Sequence, residues 1–404
     1  MAVMVLRDSS FRRFLASDVI SGFGVGLATI GANWYVLMET GESRYVGALL
    51  AVNVLAGFVA SLVSGVITDR FNRKTVIFVV HITRAVFAVA LAGLLMAFGF
   101  QMFLLYAFAI VNGAGWTIYM AASRSLLQEI VDEAKYVEGN SFLEVSLQVG
   151  MFMAGAASGF VYKYWDFAVI LSANAAMFVA GAICVRVIKF QSELAESGRE
   201  PYLTMMREGF RFLRRNAAIL VVGIVSIVPL VVTMIFNVVL PVHVSRSLGR
   251  DSVVFGLGDM SYGVGGLLAG LLVAGIAARF DSKKLIVAFF VLATTDLVAL
   301  SFNSEVMGLY LCCLLLGLAN SALRILMNSL IMSRVSKEYM GRAMAVWLGI
   351  SLVCQCVLSL SVSSYLDRLG AGVGFWVMAV MMGVGGCVFI INGRFMARTA
   401  ATNG

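Results

Sequence analysis

Twelve apolar stretches of about twenty residues or more divide this chain and leave it few ways to fold. They run near 14–38, 45–68, 75–98, 102–127, 140–162 and 166–188, then near 217–244, 252–278, 285–302, 306–332, 341–364 and 371–393. About 20 apolar residues are needed for a helix to cross the hydrocarbon core of a bilayer. Lipid offers no partner for an exposed backbone N–H or C=O, so each crossing is expected to be helical. An even number of crossings puts both ends of the chain on the same side. Only 13% of residues are charged and 61% are hydrophobic, about half the charge density of a soluble domain.

Basic residues decide which side. Of 30 Lys and Arg, 22 fall on segments sharing the side of the N-terminus, including Arg12, Arg13, Arg70, Arg73, Lys74, Arg214, Arg215, Lys283 and Lys284. The opposite loops hold only Arg44, Lys163, Arg246, Arg250 and Arg368. Cytoplasmic loops carry the excess of Lys and Arg, so both termini are expected in the cytoplasm. The formal charge of +8 is thus a topology signal and not a sign of nucleic-acid binding. Arg12-Arg13 precedes a first apolar run too long for a signal peptide, so that span is expected to stay in the protein.

Catalysis and metal chemistry find no support. The six cysteines lie within apolar stretches and form no C-x-x-C pair, as expected of small packing residues. There are two histidines, His81 and His243, with no H-E-x-x-H and no G-x-x-x-x-G-K. No cofactor, metal site or enzymatic activity is expected.

Residues 189–216 form the one long polar interruption and separate a bundle over 1–188 from another over 217–404. Within it, apolar residues at 203, 206, 210 and 213 are spaced as on an amphipathic helix lying on the membrane surface. The halves repeat weakly. Arg70-Phe71-Asn72-Arg73-Lys74 matches Arg279-Phe280-Asp281-Ser282-Lys283 at an offset of 209, which also carries Gly47 to Gly256 and Gly57 to Gly266. An offset of 204 carries Gly113 to Gly317 and Ser125 to Ser329. The second loop has decayed: Gly65 falls on Ala274 and Asp69 on Ala278.

The first copy of that loop reads Gly65-Val66-Ile67-Thr68-Asp69-Arg70-Phe71-Asn72-Arg73-Lys74. Its pattern, G-x-x-x-D-R-x-x-R-K, resembles the signature between the second and third helices of the major facilitator superfamily. Those proteins are secondary transporters that work by alternating access. The resemblance covers the whole chain and implies an all-α integral membrane fold. Twelve transmembrane helices form two pseudo-symmetric six-helix bundles, with the first, fourth, seventh and tenth lining a central cavity. The opening Arg7-Asp8-Ser9-Ser10-Phe11-Arg12-Arg13-Phe14, the Gly-rich first span, Arg84 and Arg124 resemble the branch of enterobactin exporters and macrolide efflux pumps. That branch often has an acid beside the first-span glycine; here Gly24 is followed by Val25.

The family pattern makes Gly65, Asp69, Arg70, Arg73 and Lys74 a gating motif, with Arg70 or Arg73 expected to meet Glu129 or Asp132. Ionisable residues inside spans are costly and tend to face a cavity or a partner. Asp18, Glu144 and Asp259 are the proton-coupling candidates in that order, while Asp296 falls on a peripheral span. Arg84 and Arg124 read as a buried pair or as snorkelling side chains. Arg324 either pairs with Glu144 or Asp296 or meets an anionic group on the solute. Polar and aromatic stripes nominate Asn33, Asn112, Trp116, Tyr119, Asn237, Asn320, Arg324, Trp347 and Gln355 as substrate-cavity residues.

Aromatic surface with sparse hydrogen-bonding groups suits a small amphipathic solute, drug-like or siderophore-like. The expected activity is proton-driven export through a bacterial-type inner membrane by a monomer, with Na⁺ as the alternative coupling ion. A proton-coupled importer is the second transport reading; a membrane sensor or channel is the reading outside carriage.

Overall fold

The computed structural model describes residues 8–131, 136–188, 202–335 and 337–402. Its elements are α1 Ser9–Thr40, α2 Ser43–Arg70, α3 Arg73–Phe98, α4 Met102–Ile130, α5 Tyr136–Tyr164, α6 Phe167–Arg186 and α7 Tyr202–Arg215. They continue with α8 Ala217–Val242, α9 Ser252–Ala277, α10 Ser282–Phe302, α11 Val306–Arg334, α12 Lys337–Leu369 and α13 Ala371–Thr402. All but α7 are long and apolar enough to cross a membrane. Their bounds match the twelve apolar stretches to within one or two turns, except that α13 runs on from 393 to Thr402.

Helix ends carry the chemistry that stops and starts them. The Asp8 carboxylate accepts from the N–H groups of Ser10 at 2.6 Å and Phe11 at 3.3 Å, capping α1. Gly41, at φ 65°, closes α1 in the left-handed region, where a side chain would be strained. Pro229 and Pro241 lie inside α8; directly after the second, His243–Ser247 winds as a π-turn. Proline removes a ladder donor and crowds the preceding turn, which accounts for the disturbance.

The chain divides into one compact unit of Met1–Arg199 with Arg250–Met260 and another of Glu200–Gly249 with Ser261–Gly404. In the first, α1 packs on α5 and α6, and α3 packs on α4 and α6. In the second, α8 packs on α12 and α13, and α10 packs on α11 and α13. These four pairings correspond between the two units.

The repeat extends to single residues. A Cβ at Gly113 of α4 would overlap the carbonyl oxygen of Asn53 on α2. A Cβ at Gly317 of α11 would overlap that of Tyr262 on α9. Gly57 faces Thr117 and Gly266 faces Ser321, each 2.9 Å from the hydroxyl oxygen where a Cβ would stand. The offsets are the same 209 and 204 that relate the two halves of the sequence. Small residues at these crossings let two backbones touch, which is how helices associate where lipid supplies no hydrophobic drive. The loop copies also agree: Asn72 caps α3 by accepting from Thr75 N–H at 3.3 Å. Asp281 caps α10 by accepting from Lys283 and Lys284 at 2.8 and 3.1 Å.

Candidate functional site

Asp18 lies on the inward face of α1 and is completely buried. Its carboxylate accepts from the Tyr119 hydroxyl of α4 and, at 2.5 Å, from the Ser146 hydroxyl of α5. A charge at the centre of a membrane helix costs about 2.5–3.5 kcal/mol on insertion scales. Hydrogen bonds to a charged group are worth about 1.5–3 kcal/mol each. Ser146 has one hydroxyl proton and also lies 2.8 Å from the Leu143 carbonyl, so the two hydroxyls offset only part of the cost of keeping the carboxylate dry. Tyr119 is itself fully buried; its ring lies 6.2 Å from Trp116 and 5.2 Å from His81.

A second polar centre follows on the same helices. Arg84 of α3 is 3% exposed and donates to the Asn112 amide oxygen of α4. Its guanidinium stands 4.2 Å over the Phe178 ring of α6. Gly115 leaves room for the stem, since a Cβ there would come within 2.8 Å of the arginine Cδ. Asn112 passes the chain on by donating to Thr29 of α1 at 3.5 Å. Thr29, Asn33, Asn53 and Asn112 line a cavity of about 20 Å³, enough for one water. The expectation of Arg84 as an ion pair or a snorkelling end is corrected here: it lies mid-helix, and its described partners are an amide and a ring face.

In the second unit, Asn320 of α11 is buried with its Nδ2 2.8 Å from both Thr233 Oγ1 of α8 and the Tyr262 hydroxyl of α9. The Pro229 carbonyl lies 3.1 Å from the same nitrogen. An amide has two N–H groups, so three acceptors share two donors. Phe236 stacks on Tyr262 at 5.2 Å. Thr233 stands 204 residues after Thr29, and Tyr262 stands 209 after Asn53. Thr233 and Tyr262 thus stand at the positions of Thr29 and Asn53, while Asn320 stands at that of Trp116 and not of Asn112. Trp347 of α12 is 3% exposed and fills the notch left by Gly223, where any Cβ would overlap its indole. Gln355 donates to Ser351 at 2.9 Å, and Asn237 is half-buried on α8.

Arg324 is half-buried on α11, between buried Asn320 and exposed Asn328. Among the described residues it forms no ion pair, and Asp296 meets Cys312 instead. Arg124 is exposed on α4. Asp259 belongs to the α9 part of the first unit, with Oδ2 facing Gly155 of α5. The side chains of Glu144 and Asp69, and all of Asp132, lie outside the described residues.

Around the signature loop, Arg73 pairs with Glu129 of α4. Lys74 donates to the Ile188 carbonyl at 2.5 Å and Arg13 to the Val187 carbonyl at 3.1 Å. Arg70 is exposed. Gly65 accepts from Thr68 Oγ1 at 2.9 Å and has nothing within 4 Å of where its Cβ would stand.

Sequence reasoning missed His81, Ser146, Tyr262 and the Lys163–Asp251 pair, which joins the end of α5 to the start of α9 at 2.7 Å. Tyr262 had a signal, because the 209 offset pairs it with Asn53. The others had none, being single polar residues off any stripe.

The sequence profile of the Major Facilitator Superfamily matches residues 14–357 and 222–402. The chain belongs to the Major Facilitator Superfamily. Macrolide efflux protein A of Streptococcus pyogenes is 17% identical over 373 residues, covering 91% of each chain. The multidrug efflux pump Tap of Mycolicibacterium fortuitum is 20% identical over 346 residues, covering 82% of this chain and 83% of Tap. Among solved structures, a mutant of the nucleoside transporter NupG superposes with a TM-score of 0.76 at 14% identity, over 94% of this chain and 98% of NupG. A D-xylose–proton symporter superposes with a TM-score of 0.72 at 13% identity, over 94% and 96%. The twelve-helix major facilitator fold is therefore shown, and with it a multi-pass membrane transporter of small molecules.

Proposed function

We propose that this transporter exports a small amphipathic solute from the cytoplasm, driven by protons, across a bacterial-type inner membrane with both termini inside. The observation that carries the reading is Asp18, a carboxylate buried in the first bundle that accepts from two neutral hydroxyls. Such a group can take up a proton and stay buried, because protonation relieves the cost of a dry charge. The macrolide and multidrug efflux relatives support an amphipathic cargo and the outward direction.

The cargo is inferred to carry an anionic group. Arg324 keeps its charge at any physiological pH, and among the described residues nothing of opposite charge meets it. A carboxylate- or catecholate-bearing solute would supply the missing anion. In the gate, Asp69 and the Arg73–Glu129 pair are proposed to hold the cytoplasmic ends of α2, α3 and α4 together in one state and release them in the other.

The test is flux in proteoliposomes loaded with matched anionic and neutral amphipathic dyes. An imposed pH gradient is expected to drive accumulation against the dye gradient. A steady leak indifferent to the pH gradient would instead identify a channel.

A further inference from the structure

The segment 203–213 is spaced so that residue 210 shares an apolar stripe with 203, 206 and 213. The helix does not sit that way. α7 presents Gly209 and Leu213 inward, where a Cβ at Gly209 would overlap the Arg342 carbonyl of α12 and Leu213 is fully buried. Glu208 reaches sideways to Arg342 at 3.0 Å, and Phe212 stacks on Tyr339 with ring centroids 4.5 Å apart and planes 10° from parallel. Close backbone contact has set the rotation of the helix, and it turns Phe210 outward.

The outward face therefore holds Arg207, Phe210, Arg211, Arg214 and Arg215, all exposed, with Phe210 at 56%. These positions follow the spacing of one helix face. The one acid in the described helix, Glu208, is withdrawn to the α12 side. Arg215 stands two residues before Ala217, where the α8 membrane span begins, so this face lies at the level of the phospholipid headgroups. Arginines with a protruding aromatic ring suit that layer: guanidinium groups pair bidentately with phosphate, and the ring enters the headgroup–acyl boundary.

We propose that the outward face of α7 docks anionic phospholipid headgroups. Occupancy restrains α7, and through Gly209, Glu208 and Phe212 it restrains the start of α12. The inference is independent of solute, coupling ion and direction of transport.

The experiment is hydrogen exchange read by mass spectrometry on the full chain in nanodiscs. One set is phosphatidylcholine alone and the other is one part in three phosphatidylglycerol. Exchange over 204–215 is expected to slow at least about tenfold with phosphatidylglycerol, since an anionic surface attracts each basic group that lies near it. About 0.5 M salt should reverse the slowing by screening. R207Q/R211Q/R214Q/R215Q should lose it, and the same four positions changed to lysine should keep most of it. Equal exchange in the two bilayers would overturn the proposal, as would a glutamine variant that still responds. Equal slowing by inorganic phosphate in phosphatidylcholine discs would assign the face to a soluble anion and also overturn it. The salt arm reads the wild-type protein, so a variant that fails to fold leaves the test intact.

Discussion

Arg73, the first residue of α3, forms an ion pair with Glu129 near the end of α4, and the two side chains are only 10% and 14% exposed. A pair this dry differs from the solvated charges expected of a loop. Removing one side chain takes this ion pair away from the other in a poor solvent, and breaking a buried pair costs about 3–5 kcal/mol. Arg73→Ala and Glu129→Ala are each expected to lower the thermal midpoint in detergent more than the double variant does. Additive losses in the double variant would show that the pair contributes nothing as a pair. Under the gating proposal, Asp69→Asn folds normally and still loses most transport.

The paired glycines give a prediction about packing alone. Gly113→Leu and Gly317→Leu each force a side chain into a facing backbone oxygen. Overpacking costs about 1–3 kcal/mol when side chains can yield, and a backbone cannot yield as easily. Both variants should show strongly reduced folded yield by size-exclusion chromatography. Gly65→Ala meets open space and should leave folding unchanged, so any transport defect there would be functional. A well-folded Gly113→Leu would contradict the close α2–α4 crossing.

Much of this was legible in the sequence because the bilayer imposes length and polarity rules that survive when identity falls to about one residue in five. The spans follow from such rules, and the repeat offsets follow from matching residues in the two halves. The partners of Asp18 were not legible. Tyr119 stood on a polar stripe and read as a cavity residue, yet the α1–α4 packing turns its hydroxyl onto Asp18. Ser146 is one of many serines in apolar spans. Phe210 fitted the apolar period of α7 but lost its place when Gly209 allowed the backbones to meet. In each case a long-range contact decided what local spacing left open.

The Lys163–Asp251 pair predicts a pH dependence outside the membrane span. Burial would raise the Asp251 carboxyl, but the Lys163 hydrogen bond, the Val254 and Val253 amides and the Lys163 charge outweigh it and hold the group below the usual carboxylate range. A carboxyl lowered by folding stabilises the fold above its unfolded pKa of about 3.9. That contribution is lost as pH falls through the lowered folded value. Both side chains are more than 40% exposed, so salt screening keeps the effect small. Asp251→Asn should melt slightly below wild type at pH 6 in low salt, and the gap should narrow as pH falls below the unfolded carboxylate value. A gap that widens as pH falls would reverse the sign and show that the pair does not stabilise the fold.

Arg324 tests the charge of the solute. Arg324→Gln should reduce transport of an anionic analogue by about tenfold or more, the cost of losing one charge-assisted contact, and should leave a neutral analogue nearly unaffected. Equal losses on both would return Arg324 to an internal structural role.

The central claim is that Asp18 carries the coupled proton, and replacing its carboxyl while keeping its shape tests it most directly. Asp18→Asn retains an oxygen to accept from Tyr119 or Ser146 and removes the ionisable site. Transport is measured in proteoliposomes in two modes, accumulation driven by a pH gradient and exchange of labelled for unlabelled solute without one. If Asp18 is the proton carrier, driven accumulation collapses while exchange persists at a rate near wild type. Full gradient-driven accumulation by a folded Asp18→Asn protein would contradict it.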